Sequence, residues 1–306
     1  MPTVLFLISA AEPHNNNHQR LPEVFQNAGW QVTCLGHNEL SQHCSEIRAG
    51  GKPIDHFDLI WPIGFGPRAQ FLDRIQILQQ LPPEQLITAP VAMLILHGKA
   101  AWQAFAPPTY LSNQADELAD IVAAKAGRWV LKPHAGSLAR QVHQISEAVD
   151  IRQIMRQAEP QYWLLQRYNE AIIDGEIRTL VCGREVLGSY RRLPNAEGIA
   201  NLAEGGQAVP TTLTGDETRL VAQVHEKLII NQVGFAAIDI AGQYLMEANI
   251  ANPGGLHTLE TLYGQDLGAR LVSAVNARNH HAQPESGLSI PPGDPGADQS
   301  AAHANE

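Results

Sequence analysis

The chain has 306 residues, with 21 Lys and Arg against 31 Asp and Glu, a formal charge of −10 and 44% hydrophobic residues. These values describe a globular chain with room for two or three small domains, and they exclude a fibrous or wholly disordered protein. Because the charge balance is acidic and no Lys/Arg-rich run is present, nucleic acid is disfavoured as a partner.

Membrane insertion and secretion are also disfavoured. The longest apolar runs, such as residues 4–8, fall far below the roughly 18 to 20 residues that span a bilayer. The first three residues lead directly into that run without a basic segment or a cleavage site, so we expect no secretory signal and a cytoplasmic location. The three cysteines form no C-x-x-C pair, which fits a reducing compartment without disulfides or structural zinc: Cys34, Cys44 and Cys182.

The first 90 residues alternate short apolar runs with amphipathic stretches, as the layers of α/β proteins do. Strands are predicted at residues 4–8, 31–35, 57–61 and 86–88. One predicted helix precedes Gly29, and another carries Phe71, Ile75 and Leu78 on one face. This order predicts a small open parallel sheet.

The predicted order changes after residue 90. Helices are predicted at residues 94–105 and 115–126, followed by strands at 129–133, 141–145 and 162–168. A β-hairpin is predicted from residues 177–182 and 185–191 around the Gly183-Arg184 turn. Strands at 235–240 and 244–250 then precede a last helix at 256–275. Residues 282–306 hold too few large apolar side chains to offset ordering entropy, so we predict a disordered tail over 279–306.

Acidic and amide side chains occur on the last two predicted strands. Glu247 and Asn249 share a face because alternate residues of a strand do, and a hairpin would bring Asp239 opposite them. Two carboxylates and an amide oxygen suit Mg²⁺, which proteins hold with few carboxylates plus phosphate oxygens. The same residues equally fit the solvated face of an antiparallel pair.

Two lysines stand in apolar surroundings, and arginines follow on the predicted hairpin. Lys99 lies inside the apolar stretch Leu94-Ile95-Leu96-His97-Gly98-Lys99, and Lys132 lies at the end of a strand. A lysine in such a place needs an anion, either a polyphosphate or the carboxylate of a structural salt bridge. The planar fork of arginine suits phosphates and carboxylates, but Arg178 and Arg192 taken singly also fit a solvated surface.

The joint order of these residues resembles the ATP-grasp superfamily. Within it the chain resembles the bacterial glutathione synthetases, with the ribosomal-protein glutamate ligases as near relatives. The resemblance is most specific over residues 162–260, which contain Asp174-Gly175-Glu176-Ile177-Arg178, Asn201-Leu202-Ala203-Glu204-Gly205-Gly206 and Glu247-Ala248-Asn249.

The resemblance implies a fold of the α/β (α+β) class, the ATP-grasp fold. A small parallel α/β domain at residues 1–90 would precede an ATP-grasp domain at 91–278. That second domain would divide into a small lid subdomain at 91–165 and a C-terminal subdomain at 166–278, with ATP sandwiched between them. A flexible loop over residues 195–206 would act as a lid.

The resemblance also implies roles for individual residues. ATP would be bound by Lys99, Lys132, Gln166 and Asn201. The catalytic residues would be Arg178 and Arg192. Mg²⁺, with Mn²⁺ as an alternative, would be held by Asp239, Glu247 and Asn249. A turn whose backbone amides bind a substrate carboxylate would be formed by Asn252, Pro253, Gly254 and Gly255.

The activity implied by the resemblance is that of an ATP-dependent C–N ligase. Through an acyl phosphate, it would join γ-glutamylcysteine to glycine and release ADP and phosphate. One alternative is a ligase of the same chemistry for another small acid. Another is an ATP-binding protein without catalysis, which the turn at 134–140 permits because it lacks the successive glycines of the family.

The expected partners are therefore a short peptide or amino acid, with neither nucleic acid nor a membrane, and a homo-oligomer is compatible with such a chain. If Asp239 is a metal ligand, Asp239→Asn should remove most turnover and leave the fold intact.

Overall fold

The computed structural model describes residues 1–9, 15–134, 136, 141–195, 202 and 205–279. Within these residues the strands form four sheets, and helices pack against them. The mixed α/β architecture agrees with the class expected from the sequence.

The N-terminal region contains a three-stranded parallel sheet and a small antiparallel sheet. Its elements in chain order are β1 (Thr3–Ile8), α1 (Asn17–Asn27), β2 (Gln31–Gly36), β3 (Leu40–His43), β4 (Glu46–Ala49), β5 (Lys52–Pro53), β6 (Leu59–Pro62), α2 (Phe71–Leu78) and α3 (Pro90–Ile95). The parallel sheet has the order β2-β1-β6, and the antiparallel one has the order β3-β4-β5.

The parallel sheet forms because its central strand is apolar on both faces. The side chain of Phe6 packs against Trp61 of β6 and Phe25 of α1. Gly29 takes a φ of +81°, which glycine adopts at little cost and which lets the chain leave α1 and enter β2. The predicted strand at 86–88 is reduced to two isolated bridges, Ile60 with Leu86 and Thr88 with Val233.

A four-stranded antiparallel sheet follows. Its elements are β7 (Thr109–Ser112), α4 (Ala115–Ala124), β8 (Trp129–Pro133), β9 (His143–Ile145), α5 (Ala148–Gln157) and β10 (Trp163–Arg167). The strand order is β7-β10-β8-β9. Both helices cover one face of this sheet, where Trp129 and Trp163 are buried with Leu118 and Ile151.

A five-stranded antiparallel sheet makes up the rest of the described chain. Its elements are β11 (Glu176–Cys182), β12 (Glu185–Leu193), β13 (Gln207–Pro210), α6 (Gly215–Ile230), β14 (Phe235–Ala241), β15 (Tyr244–Asn249), α7 (Leu256–Tyr263) and α8 (Gly268–Asn279). The strand order is β13-β12-β11-β14-β15. One face packs on α6, and the other packs on α7, α8 and the N-terminal parallel sheet.

Two helix predictions were wrong. The helix predicted at 94–105 ends as α3 at Ile95, and a short 3₁₀ helix follows at Lys99–Trp102, because Gly98 between them is extended. The helix predicted at 256–275 is two helices, because Gly264 takes the left-handed conformation and ends α7. Elements that the sequence analysis did not predict include β3, β4, β5, β7, α5, β13 and α6.

The predicted subdomain boundary between residues 165 and 166 falls inside β10. The division of the chain into domains therefore stays a prediction.

The predicted tail lies outside the described residues from residue 280 onward. Within the described part of the chain, no helix combines the length and the apolar character needed to cross a membrane.

The contact between Trp61 and Phe235 joins the N-terminal sheet to the five-stranded sheet, with ring centroids 5.4 Å apart. Because Phe235 is 2% exposed, we expect Phe235→Ala to lower the free energy of unfolding by about 3 to 5 kcal/mol. Urea denaturation measures this loss. Leu72→Ala is the matched control: Leu72 is 57% exposed, so the change should stay within about 0.5 kcal/mol. Equal losses in the two variants would contradict this account of the core.

Candidate active site

A narrow cleft lies between the four-stranded and five-stranded sheets. Lys132 of β8 and Gln166 of β10 line one side, and Glu247 of β15 lines the other, with Lys99 and His97 at its end. The cleft has a volume of about 10 Å³, the space of roughly one water molecule. The side chains of Lys132, Gln166 and Glu247 therefore leave little free space between the two sheets.

Lys99 connects the two sides of this cleft. Its Nζ donates a hydrogen bond of 2.7 Å to the backbone oxygen of Gly136, which follows β8. The same nitrogen lies 3.3 Å from the Oε1 atom of Glu247 on the five-stranded sheet. Lys99 therefore forms a structural salt bridge, one of the two alternatives given for the lysines in the sequence analysis. Its partner Glu247 is also one of the predicted Mg²⁺ ligands.

Lys132 is held by a neutral group. Its Nζ donates to the Oε1 atom of Gln166 at 2.9 Å, and the Nε2 atom of Gln166 donates to the hydroxyl of Thr109 at 2.8 Å. No carboxylate in the described part of the chain forms an ion pair with Lys132. Burial, together with the positive charge of Lys99, lowers the pKa of Lys132 to about 8. Lys132 is thus a half-buried ammonium group that an anion in the cleft would stabilise.

Asp239 is buried between two guanidinium groups. Arg178, its register partner on β11, donates from Nε to Oδ1 at 2.8 Å and from the second terminal nitrogen to Oδ2 at 2.6 Å. Arg192 lies 2.9 Å from the same Oδ2 and donates at 2.5 Å to Glu176. The four side chains form a continuous chain of alternating charge, Arg178–Asp239–Arg192–Glu176.

The pKa values within this network follow from its charges. Burial alone would raise the pKa of Asp239, but Arg178 and Arg192 outweigh it and hold that pKa below its ordinary value. Burial raises the pKa of Glu176 against the opposing charge of Arg192. Asp239 is 2% exposed, so it does not lie on a solvated face of the sheet.

The predicted metal ligands lie on two paired strands. Asp239 and Glu247 are register partners of β14 and β15, and Asn249 follows two residues later on β15. Among the described residues, no group of three or more His, Cys, Asp or Glu side chains converges to hold a metal ion. Two carboxylates and one amide offer only oxygen ligands, so the set fits Mg²⁺ when phosphate oxygens complete the coordination.

The predicted substrate turn connects β15 to α7. Arg178 reaches it, because its first terminal nitrogen donates to the backbone oxygen of Gly254 at 3.2 Å. Gly255 has a φ of +127°, and a Cβ there would lie 3.0 Å from the hydroxyl oxygen of Tyr190, so glycine is required. The turn and the Asp239 network are therefore in direct contact.

Some site residues were not found from the sequence, and one lies outside the described structure. Glu176 occurs in the quoted Asp174-to-Arg178 segment, and strand alternation could have placed it on the face of Arg178. Thr109 carries no sequence signal for its contact with Gln166. Asn201 and most of the predicted lid loop lie outside the described residues.

Burial raises the pKa of the Cys182 thiol to about 12, so this cysteine is not a nucleophile at neutral pH.

The structure revises the expectation that Asp239→Asn leaves the fold intact. The substitution would remove the carboxylate that two buried guanidinium groups share, so we expect a loss of about 3 to 5 kcal/mol in the free energy of unfolding. Chemical denaturation of the purified variant measures this loss.

Glu247→Gln serves as the matched control for that prediction. The Glu247 side chain is 39% exposed and has Lys99 as its ion-pair partner, so its loss should cost less than about 1 kcal/mol. A stability of Asp239→Asn equal to that of Glu247→Gln would show that the Arg178–Asp239–Arg192 network contributes little.

Comparison with known proteins identifies the family. The family model for the ATP-grasp domain of prokaryotic glutathione synthetase matches residues 98–264, more than half of the chain. A glutathione synthetase of Synechocystis sp. is 28% identical over 213 residues, which are 66% of each chain. Another, from Rhodopseudomonas palustris, is 27% identical over 177 residues, 56% of each chain.

The alignments span from just over half to about two thirds of the length of these curated relatives. Among solved structures, the D-cycloserine synthetase DcsG aligns with a TM-score of 0.69 at 15% identity, covering 91% of this chain and 100% of that one. At this identity the similarity shows the fold alone, which is the ATP-grasp fold expected from the sequence. The chain belongs to the family of the prokaryotic glutathione synthetase ATP-grasp domain.

Proposed function

We propose that this protein is an ATP-dependent carboxylate–amine ligase that joins γ-glutamylcysteine to glycine and releases ADP and phosphate. The observation that carries the proposal is the cleft in which Lys99 and the half-buried Lys132 face Glu247, while no carboxylate among the described residues forms an ion pair with Lys132. Cations on one side and acidic side chains on the other are the arrangement that a metal-bound triphosphate requires.

The proposed reaction has two steps. A carboxylate does not react with an amine at neutral pH, because oxide is a poor leaving group and the negative charge resists attack. In the first step an oxygen of the donor carboxylate attacks the γ-phosphorus of ATP, and ADP leaves. In the second step the amine nitrogen attacks the carbonyl carbon of the acyl phosphate, phosphate leaves with the bonding electrons, and the nitrogen loses a proton.

Lys99 and Lys132 would offset the charge of the nucleotide phosphates. Gln166 would hold the Lys132 ammonium in place through its side-chain oxygen, while its own amide remains bonded to Thr109. We also keep Asn201 among the proposed nucleotide-binding residues, on the resemblance of its segment to the family. A nucleotide bound to Lys99 would replace the contacts that Lys99 makes with Gly136 and Glu247.

Arg178 and Arg192 would stabilise the charge that develops on the transferred phosphoryl group. Both are held by Asp239, which restricts their motion before the reaction. The Nε atom of Arg192 is buried and has no hydrogen-bond partner within the described part of the chain. A buried donor of this kind would be satisfied by an incoming oxygen anion.

Asp239, Glu247 and Asn249 would hold the Mg²⁺ ion, for which Mn²⁺ is an alternative. When bound, the ion would neutralise charge on the phosphate oxygens of the nucleotide. The turn at residues 252–255 would bind a substrate carboxylate through backbone amides, since successive amides in a turn form anion sites. We keep the expectation that Asp239→Asn removes most turnover.

The names of the curated relatives support glutathione precursors as substrates, and the family supports the ligase chemistry. A short peptide and an amino acid are therefore the proposed partners. The three cysteines, none of them in a disulfide, support the cytoplasmic location that remains part of the proposal.

Phosphate release tests the proposal directly. Full-length protein with ATP, Mg²⁺, γ-glutamylcysteine and glycine should release one phosphate per glutathione formed, and omission of either substrate should reduce the rate to background. Lys132→Met, which removes the charge and keeps an apolar stem, should lower kcat/KM for ATP by roughly a hundredfold. Release only with another acid and amine would indicate a different ligase, and no release with any pair would indicate a nucleotide-binding protein.

The lowered pKa of Lys132 predicts a pH dependence of nucleotide affinity. Below pH 8 the lysine is charged in the free protein, so ADP with Mg²⁺ should bind with full affinity. Above pH 8 a proton must be taken up for each nucleotide bound, and the affinity should fall by up to about tenfold per pH unit. Calorimetric titrations between pH 7 and pH 9.5 measure this slope.

Lys132→Arg is the control for the pH dependence. A guanidinium stays charged throughout this range, so the variant should lose the additional weakening above pH 8. An affinity of the unmodified protein that stays constant between pH 7 and pH 9.5 would contradict the role of Lys132.

A further inference from the structure

Three consecutive backbone oxygens of the turn at residues 252–255 accept hydrogen bonds from side chains of distant segments. The oxygen of Asn252 accepts from the amide of Asn15 at 3.0 Å, and that of Pro253 accepts from the amide of Asn17 at 3.0 Å. The oxygen of Gly254 accepts from Arg178 at 3.2 Å. The turn is thus held along one edge by donors from the N-terminal segment and from β11.

Asn17 is the central donor of this arrangement. It is 1% exposed, and its Nδ2 atom also donates to the side-chain oxygen of Asn252 at 2.8 Å. Asn15 is oriented by Asn17 in return, because its Oδ1 atom accepts from the Asn17 backbone N–H at 2.9 Å. Both protons of one buried amide are therefore used on the turn, which is a strong geometric constraint.

The orientation of the carbonyl groups determines where the amide protons of the turn can point. A peptide group directs its oxygen and its hydrogen to opposite sides. The oxygens of Pro253 and Gly254 are held by Asn17 and Arg178, so the N–H groups of Gly254 and Gly255, which share those peptide groups, face away from the two donors. Asn15 holds the turn one residue earlier, at a peptide group that has no N–H because its nitrogen belongs to Pro253. In the described part of the chain, neither N–H donates to an acceptor.

We propose that Asn15 and Asn17 are positioning residues for the substrate turn. They hold its carbonyl groups, so that its amide groups stay directed at the carboxylate of a substrate without any contact between the asparagines and that substrate. This inference rests on the proposed ligase function, and it connects the segment that follows β1 to the turn after the five-stranded sheet.

The position of the segment supports this role. It follows the carboxyl end of β1, the edge of an open parallel sheet where ligands usually bind. The turn is joined to the same edge a second time, because the N–H of Gly64 after β6 donates to the oxygen of Ala251 at 2.9 Å. The N-terminal sheet thus sets the geometry of the turn at two adjacent points.

The test compares four full-length variants with the unmodified protein. Asn15→Ala and Asn17→Ala each remove a donor. Asn17→Asp keeps the size of the side chain and suits the first turn of α1, but at pH 8 a carboxylate cannot donate. Asn27→Ala is the control, since Asn27 is an exposed asparagine at the other end of the same helix.

Steady-state kinetics with ATP, Mg²⁺, γ-glutamylcysteine and glycine should separate positioning from general loosening. We expect the KM of γ-glutamylcysteine or of glycine to rise about tenfold in all three donor variants, as for the loss of one hydrogen bond. The KM of ATP should stay within about twofold, and Asn27→Ala should match the unmodified protein. A rise in the KM of ATP as large as that of the other substrates, or no rise at all, would overturn the inference.

Hydrogen–deuterium exchange gives a second measurement that does not depend on turnover. Peptides covering residues 251–263 should exchange faster in the three donor variants than in the unmodified protein and in Asn27→Ala. Unchanged exchange would overturn the inference. If the unmodified protein forms no product, the proposed function fails, and exchange alone then decides whether the asparagines hold the turn.

Discussion

The buried carboxylate of Asp239 is the interaction on which the candidate site depends. A carboxylate removed from water is costly unless charge and hydrogen bonds compensate it, and Arg178 and Arg192 supply both. Both arginines are held in place by their contacts with Asp239. Arg178 also donates a hydrogen bond to the backbone oxygen of Gly254 in the predicted substrate turn. The strand register of the five-stranded sheet thus places Asp239, both arginines and the turn within one hydrogen-bonded network.

Lys99 imposes a second constraint, on the cleft between the sheets. It contacts Gly136 on one side and Glu247 on the other, and the cleft beside it has a volume of about 10 Å³. Lys132 lies in the same cleft, where burial and the positive charge of Lys99 lower its pKa to about 8. An anion bound in the cleft would compensate the desolvation of Lys132 and would compete with Glu247 for Lys99.

The sequence analysis succeeded where the signal was local. The apolar run of β1, the hairpin of β11 and β12, and the pairing of Asp239 with Glu247 all follow from alternation and turn residues close together in the chain. It failed where a neighbour distant in sequence determined the local structure. The strand predicted at 86–88, for example, exists only as two isolated bridges, to the distant residues Ile60 and Val233.

The sequence by itself determined the class of the fold, the family and the set of charged residues, because periodicity and motif order are written in the linear chain. Only the tertiary structure decided which of those charges meet. Asp239 pairs with two arginines that lie on other strands. Asn15 and Asn17 donate hydrogen bonds to turn residues that lie 235 to 237 positions away in the sequence. Such contacts arise from strand register and from the packing of the N-terminal sheet, which depend on the whole core rather than on any local pattern.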